Sequence, residues 1–225
     1  MVSNTQIVDY YNNIAKDYDH SRFGNSYGRY IDSQERMVLD KMSITPSNTL
    51  DLPCGTGRFL NYADHGCDAS ENMLKAAAER WENKQLICSD ARNLPYEDAS
   101  FDTVITMHLL MHLDEATIQE IMNEVHRVLR PNGRWIVDLP SLKRRKMTNR
   151  KKGDWHGDSS MSIDGVKLLT TGFFNIKSTH GIMMFPVHRI PSKLRKPLCK
   201  LDYRVSQFAG MKEYSSYIIY ELWKS

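Results

Sequence analysis

Acidic side chains follow three short apolar segments of this chain, and the first of them leads into a glycine-containing turn. Asp51 closes the first segment and runs into the turn Pro53-Cys54-Gly55-Thr56-Gly57, while Asp68 and Asp90 come at the ends of the second and third segments. The glycines let the backbone approach a ligand closely, and a helix opening after the turn supplies free N–H groups for a carboxylate or phosphate. The pattern therefore predicts a ligand site at the ends of these segments.

The elements that must position these residues alternate between strand and helix. Strands are predicted from short apolar segments at 49–52, 85–88, 101–107 and 135–139. Helices are predicted from periodicity at 72–81 and 114–130, and two more within the first 45 residues. This alternation predicts an α/β fold with a mostly parallel sheet covered on both faces.

The ends of these elements also carry signals. Asp114 can cap the long helix, and Pro131-Asn132-Gly133 is expected to end it before the next strand. Segments 173–178 and 217–223 are predicted to form an antiparallel pair that closes the sheet. Residues from 143 to about 165 form an irregular insertion, and loops in that position typically overhang the ligand crevice of such sheets.

Composition excludes several classes of protein. The chain has 225 residues, 25% of them charged, and no apolar run approaches the roughly 18 residues that a membrane helix needs. The N-terminus lacks the pattern of a secretory signal, so a cytoplasmic location is expected. Four cysteines form no C-x-x-C pair, and we therefore expect neither a disulfide framework nor a metal site.

Two segments concentrate positive charge, although the formal net charge is only +3. Residues 143–152 hold seven Lys and Arg residues without an acid, and residues 189–200 hold five. In and directly after the second segment, Ile190, Leu194, Leu198 and Leu201 recur at helical spacing, so a helix there would be apolar on one side and basic on another, with Pro191 and Pro197 limiting its length. Solvated surface and attraction of an anionic partner, including an anionic membrane surface, are both open interpretations.

The order of the chemical signals resembles one family. The Asp51–Gly57 turn is followed by Asp68-Ala69-Ser70-x-x-Met73, Ser89-Asp90-Ala91, Phe101-Asp102 and a Pro-Asn-Gly turn at 131–133. In this order they resemble the class I S-adenosylmethionine (SAM)-dependent methyltransferases, in particular the small-molecule enzymes with a single Rossmann-like domain. The resemblance implies a seven-stranded, mostly parallel sheet with an antiparallel last strand and helices on both faces.

The resemblance also implies how the chain is divided. Residues 1–225 would form one methyltransferase domain. Residues 1–45 would be an N-terminal helical lid, 46–140 the SAM-binding core, and 141–225 the basic insertion, substrate-side elements and closing strands.

Roles for individual residues follow from the resemblance. The turn from Pro53 to Gly57 would hold the methionine part of SAM with Asp51 near its amino group, Asp68 would bind the ribose, and Met107 and His108 would border the reactive methyl group. The remaining cofactor-binding candidates are two lid residues and the residues around the adenine: Tyr18, Arg22, Ala69, Ser70, Met73, Asp90, Ala91 and Arg92. His108 could be a catalytic base, because imidazole titrates near neutral pH, or simply a wall of the pocket.

Two features depart from the family pattern. Pro53 stands where a glycine is usual, so that position cannot donate an N–H. Only ten residues separate Gly57 from Asp68, so the first helix must be short, and Asp64 is the reserve candidate for the ribose.

The resulting functional prediction is methyl transfer from SAM to an oxygen or nitrogen of a small molecule, with an anionic or amphiphilic acceptor suggested by the basic segments. A nucleic-acid methyltransferase is an alternative, although the segment from Thr106 to Leu109 lacks the Asp/Asn-Pro-Pro-aromatic turn of amino-methylating enzymes. A non-catalytic SAM-binding module and an NAD-dependent dehydrogenase are alternatives of another class. The dehydrogenase G-x-G-x-x-G pattern is not met, because Gly57 is followed by Arg58, Phe59 and Leu60.

Overall fold

A computed structural model describes residues 4–148 and 159–225, which form a seven-stranded sheet with the order β3-β2-β1-β4-β5-β7-β6. The strands are β1 Thr49–Asp51, β2 His65–Asp68, β3 Gln85–Cys88, β4 Phe101–Thr106, β5 Leu129–Pro140, β6 Phe174–Ile182 and β7 Tyr217–Lys224. Strands β1 to β5 pair in parallel, and β7 pairs antiparallel with both β5 and β6. The predicted sheet, with its antiparallel last strand, is confirmed.

Eight α-helices in the described residues surround this sheet. They are α1 Asn4–Ile14, α2 Tyr18–Phe23, α3 Ser26–Leu39, α4 Glu71–Arg80, α5 Glu115–Val128, α6 Leu142–Met147, α7 Ile163–Leu169 and α8 Ser192–Ser206. Side chains cap three of those near the site, because Asn25, Ser70 and Asp114 accept hydrogen bonds from the first-turn N–H groups of α3, α4 and α5.

Strand residues alternate between two apolar cores. Val104, Trp135 and Tyr220 pack in the core that includes α5. Their neighbours along the strands point to the opposite face, where Ile105 and Ile136 join the core that includes α3 and α8. This alternation is what the period of two in a strand requires, and it anchors α3 and α5 on opposite faces of the sheet.

The helix predicted after the glycine turn does not form. Residues 52–62 run through consecutive turns before β2 begins at His65. Gly55 and Gly57 have positive φ values of +51° and +81°, which interrupt a right-handed helix, and the short connection leaves no length to start one further along. The site therefore has no helix N-terminus at this point.

Two other boundaries differ from prediction. Helix α5 ends at Val128 and β5 begins at once at Leu129, so the Pro-Asn-Gly segment lies inside the strand. The proline at 131 favours extended backbone in the residue before it, which ends the helix earlier than its charge pattern suggested. Helix α8 starts directly after Pro191 but continues through Pro197, because its buried contacts lie beyond that proline.

Helix α8 packs on the domain through a side other than its leucines. Its buried residues are Cys199, Asp202, Tyr203 and Ser206, whereas Leu194 and Leu201 are exposed. Asp202 accepts hydrogen bonds from the Tyr30 hydroxyl at 2.8 Å, the Gln34 amide at 3.1 Å and the Phe185 N–H at 2.9 Å. A polar network thus fixes α8 against α3, and Leu194 and Leu201 of the predicted apolar side point outward.

No helix among the described residues is both long and apolar enough to cross a membrane. The four cysteines have free thiols, and the described part of the chain holds no cluster of three His, Cys, Asp or Glu residues placed for a metal ion. Part of the predicted basic insertion, residues 149–158, lies outside the described residues.

Candidate functional site

A cavity of about 150 Å³ lies at the carboxyl ends of the central strands and beneath helices α1 and α2. Its wall contains most of the residues predicted from the sequence: Tyr18, Pro53, Cys54, Gly55, Thr56, Asp68, Ala69, Ser70, Met73, Asp90, Ala91, Arg92, Met107 and His108. The ends of parallel strands are where open α/β sheets bind their ligands. The fold therefore brings residues from five separate segments to one place.

Three predicted residues lie outside the described cavity wall. Arg22 donates a hydrogen bond to the Tyr10 hydroxyl at 3.0 Å, and Asp51 is buried behind the turn. A Cβ atom added to Gly57 would meet the Trp81 ring at 2.7 Å, and the indole N–H donates to the Gly57 carbonyl at 2.8 Å. The absence of a side chain at Gly57 therefore allows the Trp81 indole to pack there, whereas the sequence predicts that it allows a ligand to approach.

Gly55 faces open space. A Cβ atom built on Gly55 would meet nothing within 4 Å, although the residue lines the cavity. Its N–H donates to Asp68 Oδ2 at 2.8 Å, which ties the turn to the end of β2. The two glycines therefore act differently, and the backbone at Gly55 is the part of the turn that a bound molecule can approach.

Asp68 is the acidic group at the centre of the cavity wall. Its Oδ1 accepts the Ser70 N–H at 2.8 Å, so each carboxylate oxygen already has one backbone donor. Burial raises the pKa of Asp68 to about 6, against the opposing effect of these two N–H groups. Each oxygen of an ionised carboxylate can accept more than one hydrogen bond, so Asp68 keeps capacity for two further donors.

Asp51 is a buried carboxylate with neither oxygen paired. It is 1% exposed, and neither Oδ1 nor Oδ2 has a hydrogen-bond partner in the described structure. Burial raises its pKa well above the ordinary range. A buried unpaired acid is costly, and a cationic or N–H donor at this end of the turn would relieve that cost.

Asp90 and Arg92 form the more open rim of the cavity. The Arg92 guanidinium bonds the Asp90 carboxylate at 2.7 Å, and the Arg92 N–H donates to Asp90 Oδ1 at 2.9 Å. This local loop holds Ala91 at the wall between them. Ala91 therefore lies where the resemblance places the adenine ring, although the Asp90 side chain is already bonded to Arg92.

His108 belongs to a buried charge network that the sequence did not reveal. Its Nε2 lies 2.6 Å from Glu35 Oε1 and its Nδ1 lies 3.6 Å from Asp138 Oδ2, while the His108 backbone N–H donates to Asp138 Oδ1 at 2.6 Å. Glu35 is fully buried and its other oxygen pairs with Arg58 at 2.6 Å. The Arg58 guanidinium in turn stacks 4.0 Å from the ring centroids of Phe23 and Phe59.

The network sets the charge of its members. Burial opposes ionisation of Glu35, but the positive charges of Arg58 and His108 overcome it and lower the pKa of Glu35 to about 2. For His108, burial opposes the charge, and Glu35 and Asp138 outweigh that effect and raise its pKa. Burial raises the pKa of Asp138, with His108 opposing. The favoured state therefore pairs an ionised Glu35 with a protonated imidazole.

We expect the imidazole of His108 to titrate above 6.5 and Glu35→Gln to lower that pKa, because the substitution removes the nearest negative charge. The raised pKa contributes stability that is complete below pH 6.5 and is lost as the pH rises through the folded-state pKa. Histidine ¹⁵N shifts across a pH series measure both forms. His180, whose pKa burial lowers, is the internal control, and an unchanged His108 titration in Glu35→Gln would contradict the network.

The helices over the cavity are bonded to its floor. The Tyr11 hydroxyl of α1 lies 3.3 Å from His112 Nε2, and the Thr56 hydroxyl donates to Asp19 at 2.6 Å. Asn12 Oδ1 accepts the Ser70 hydroxyl at 2.7 Å, next to Asp68. The N-terminal segment is thus coupled to the turn and to the start of α4 by polar contacts.

Several wall residues were not predicted. They are largely apolar: Ile7, Val8, Tyr11, Leu52, Arg58, Phe59, Ser89, Leu109, His112, Leu113, Thr117 and Ile121. Glu35 is the most consequential omission, and a signal existed for it. It falls between Ile31 and Val38 on the apolar face of a predicted helix, where an acid needs a partner.

Fold and site together define a Rossmann-like domain whose cavity fits an adenosyl ligand. An unpaired acid behind an open backbone turn suits an amino group, and a carboxylate with spare capacity at the end of β2 suits a pair of hydroxyls. The residues present therefore fit S-adenosylmethionine.

Comparisons with known proteins name the family. Residues 50–137 match the family described as a methyltransferase domain. An uncharacterised protein of Methanocaldococcus jannaschii is 28% identical over 94% of this chain and 88% of its own length. The demethylmenaquinone methyltransferase of Thermotoga maritima is 31% identical over 56% of this chain, and the match spans 58% of that enzyme.

A solved structure from Thermotoga maritima shares the fold. It is described as a SAM-dependent methyltransferase, possible histamine N-methyltransferase, with a TM-score of 0.72, 17% identity and coverage of 96% of this chain and 98% of that one. Residues 50–137 are thus a methyltransferase domain, and the described chain as a whole has the fold of the class I S-adenosylmethionine-dependent methyltransferases. The methyl donor of this class of domain is SAM, and neither the family match nor the fold supports the dehydrogenase alternative.

Proposed function

We propose that this enzyme methylates an oxygen or nitrogen of a small molecule with an apolar or aromatic body. The observation that carries the proposal is the apolar part of the cavity wall, to which Ile7, Phe59, Leu109 and Leu113 contribute. Arg58 also reaches this wall, but Asp32 and Glu35 neutralise it. Apolar walls with a few polar groups are typical of sites for small organic ligands.

The names of the similar proteins support a small acceptor. One is called a demethylmenaquinone methyltransferase, and the other a possible histamine N-methyltransferase. Both names refer to small molecules, a quinone in one and an amine in the other. We therefore take from them only the small size of the acceptor.

In the proposed complex, this chain's residues hold the donor by the groups already described. The backbone at Gly55 and the buried Asp51 would bind the methionine end, and Asp68 would accept the ribose hydroxyls. Ala91 and Met73 would contact the adenine. Bound SAM supplies an electrophilic methyl group, and methyl transfer requires mainly that the acceptor be aligned with it.

We propose that His108 contributes as a fixed cation of the cavity wall. Its Nε2 is bonded to Glu35 at 2.6 Å and its Nδ1 lies 3.6 Å from Asp138, and both carboxylates raise the pKa of the ring and so favour its protonated form, which has no free lone pair with which to remove a proton. The prediction of a catalytic base at this position therefore gains no support from the geometry. An acceptor that reacts as a neutral amine or as an ionised hydroxyl needs no such base.

The test is methyl transfer from SAM carrying a deuterated methyl group into a fractionated metabolite extract, read by mass spectrometry. We expect labelled product in the apolar fractions and far less of it with Asp68→Asn enzyme at the same SAM concentration. Label confined to transfer RNA or ribosomal RNA added in parallel would instead establish the nucleic-acid alternative and overturn the proposal.

The basic residues of α6 allow a sharper test of an anionic acceptor. No described residue of α6 or α8 lines the cavity, and Lys143 lies over the Tyr214 ring at 4.3 Å. We therefore expect Lys143→Glu with Lys146→Glu to leave the acceptor KM within about twofold, since exposed charges outside a cavity are screened by salt. Steady-state kinetics at two salt concentrations measure this, with Lys75→Glu as the control. A large rise in the acceptor KM that is abolished at high salt would instead support an anionic acceptor.

A further inference from the structure

Helix α8 carries an exposed apolar ridge that the proposed function does not use. Leu194 is 51% exposed, Leu201 is 50% exposed and Phe208, in the turn after the helix, is 65% exposed. Leu194 and Leu201 are seven residues apart, which is close to two helical turns, so they lie on one side of α8, and the exposed Phe208 follows the C-terminal end of the helix. Large apolar side chains aligned in this way are more informative than isolated exposed ones.

A row of positive charge runs beside this ridge. Lys193, Lys200 and Arg204 are exposed and lie on the adjoining side of the same helix. The only acid between residues 188 and 212 is Asp202, which is fully buried against α3. The outward surface of α8 is therefore apolar on one side and uniformly basic on the other.

We propose that this outward face of α8 binds the surface of an anionic lipid bilayer. The ridge enters the boundary between headgroups and acyl chains, and the basic row contacts the lipid phosphates. Amphipathic helices with apolar and Lys/Arg faces bind membranes in this manner, and long Lys side chains reach from the boundary to the headgroups. The proposal concerns where the enzyme sits and holds whichever acceptor it methylates.

The size of the ridge favours a bilayer over a protein partner. A stable protein interface buries about 800 Å² on each side and involves roughly 20–30 residues of each partner. Three aligned side chains fall far short of that. Shallow insertion of a few apolar groups combined with electrostatic attraction is enough for reversible membrane binding.

A contact on the inner side of α8 connects this helix to the N-terminal segment that covers the cavity. Arg195 donates to the Ser26 hydroxyl at 2.8 Å, and Ser26 begins α3 directly after the segment that contains α2. Tyr18 of α2 lines the cavity. A bilayer bound to the outward face of α8 would therefore contact a helix that is hydrogen-bonded to the segment over the cavity.

Vesicle sedimentation with the full chain tests the proposal. We expect binding to mixed phosphatidylcholine–phosphatidylglycerol vesicles at low salt, and little binding to phosphatidylcholine alone. Lys193→Glu with Lys200→Glu should weaken binding by roughly thirtyfold or more, because each basic residue near an anionic surface contributes a factor of roughly five. Leu201→Gln with Phe208→Gln should weaken it at least about tenfold.

Matched controls are available elsewhere on the surface. Lys75→Glu with Lys167→Glu makes the same charge change away from α8, and Leu168→Gln changes an exposed leucine of α7 that is 78% exposed. Both should bind vesicles as the unmodified protein does. Absence of binding to anionic vesicles, equal loss in the controls, or no effect of the ridge substitutions would each overturn the proposal. So would a ridge-dependent dimer in size-exclusion chromatography, which would make a second copy the occupant.

Discussion

Asp68→Asn is expected to weaken SAM binding by about a hundredfold. The asparagine side chain presents only one oxygen, whereas Asp68 accepts N–H groups from Gly55 and Ser70 on two. Its NH₂ group must therefore face a backbone donor, and it cannot accept a second ribose hydroxyl. Hydrogen bonds to charged groups contribute about 1.5–3 kcal/mol each, which supports a loss of this size. Calorimetric titration with SAM measures it.

Asp64→Asn is the matched control for this prediction. Asp64 was the reserve candidate for the ribose, but it pairs with Lys84 at 2.6 Å and is 42% exposed. We expect little change in SAM affinity. If the Asp64 variant loses affinity and the Asp68 variant keeps it, the assignment of the ribose carboxylate is reversed.

The pH dependence of SAM binding offers a second readout. The pKa of Asp68 is about 6 in the free protein, and its ionised form is the better acceptor of hydroxyl groups. Affinity should therefore be greatest above pH 6 and fall as the carboxyl becomes protonated. Asp68→Asn should lack this part of the dependence.

Glu35→Ala is expected to destabilise the fold by about 3–5 kcal/mol. Removing one partner of a buried charge pair leaves the other charges uncompensated, and such losses are typically of this size. Here Arg58, which is 11% exposed, would keep only Asp32, and the protonated ring of His108 would lose its nearest carboxylate. Urea unfolding followed by circular dichroism measures the change.

The control is Asp32→Asn, which removes the more exposed partner of Arg58. Asp32 is 26% exposed and shares its charge with Arg36 at 3.0 Å, so we expect a loss of about 1 kcal/mol or less. Acid unfolding adds an independent check. Because the pKa of Glu35 is lowered from 4.5 to about 2, its contribution is present above pH 4.5 and is lost as the pH falls toward 2. Equal destabilisation by both substitutions would contradict the network.

Most of the sheet and the cavity floor could be predicted because their signals are local. Each acid at a strand end, the glycine turn and the helix caps are read from neighbouring residues, and the order of strands follows from alternation with helices. Only part of the structure of the Pro53–Gly57 turn could be predicted. Its glycines were visible, but that Gly55 faces the cavity and Gly57 faces Trp81 depends on the three-dimensional path of α4.

The parts that could not be predicted depend on contacts between distant residues. Glu35 and His108 are 73 residues apart, and no spacing along the chain links them. Helix α8 illustrates a different limit. Leucine periodicity correctly indicated an amphipathic helix, but the face that packs was decided by the partners of Asp202 on α3, so the leucines were left outside. The hydrophobic pattern predicts that a helix has an apolar side, but tertiary packing decides whether that side is buried or exposed.

One connection has a consequence for how this turn can change in evolution. Asp68, just before α4, holds the Gly55 N–H, and Trp81, just after α4, packs on Gly57 and holds its carbonyl. The residues that flank α4 thus contact both glycines of the turn, Asp68 at Gly55 and Trp81 at Gly57. A substitution at position 68 or 81 is expected to alter the shape of the turn, so residues 55–57 should co-vary with these two positions among relatives. A transplant of the turn into another methyltransferase would need to carry α4 with it.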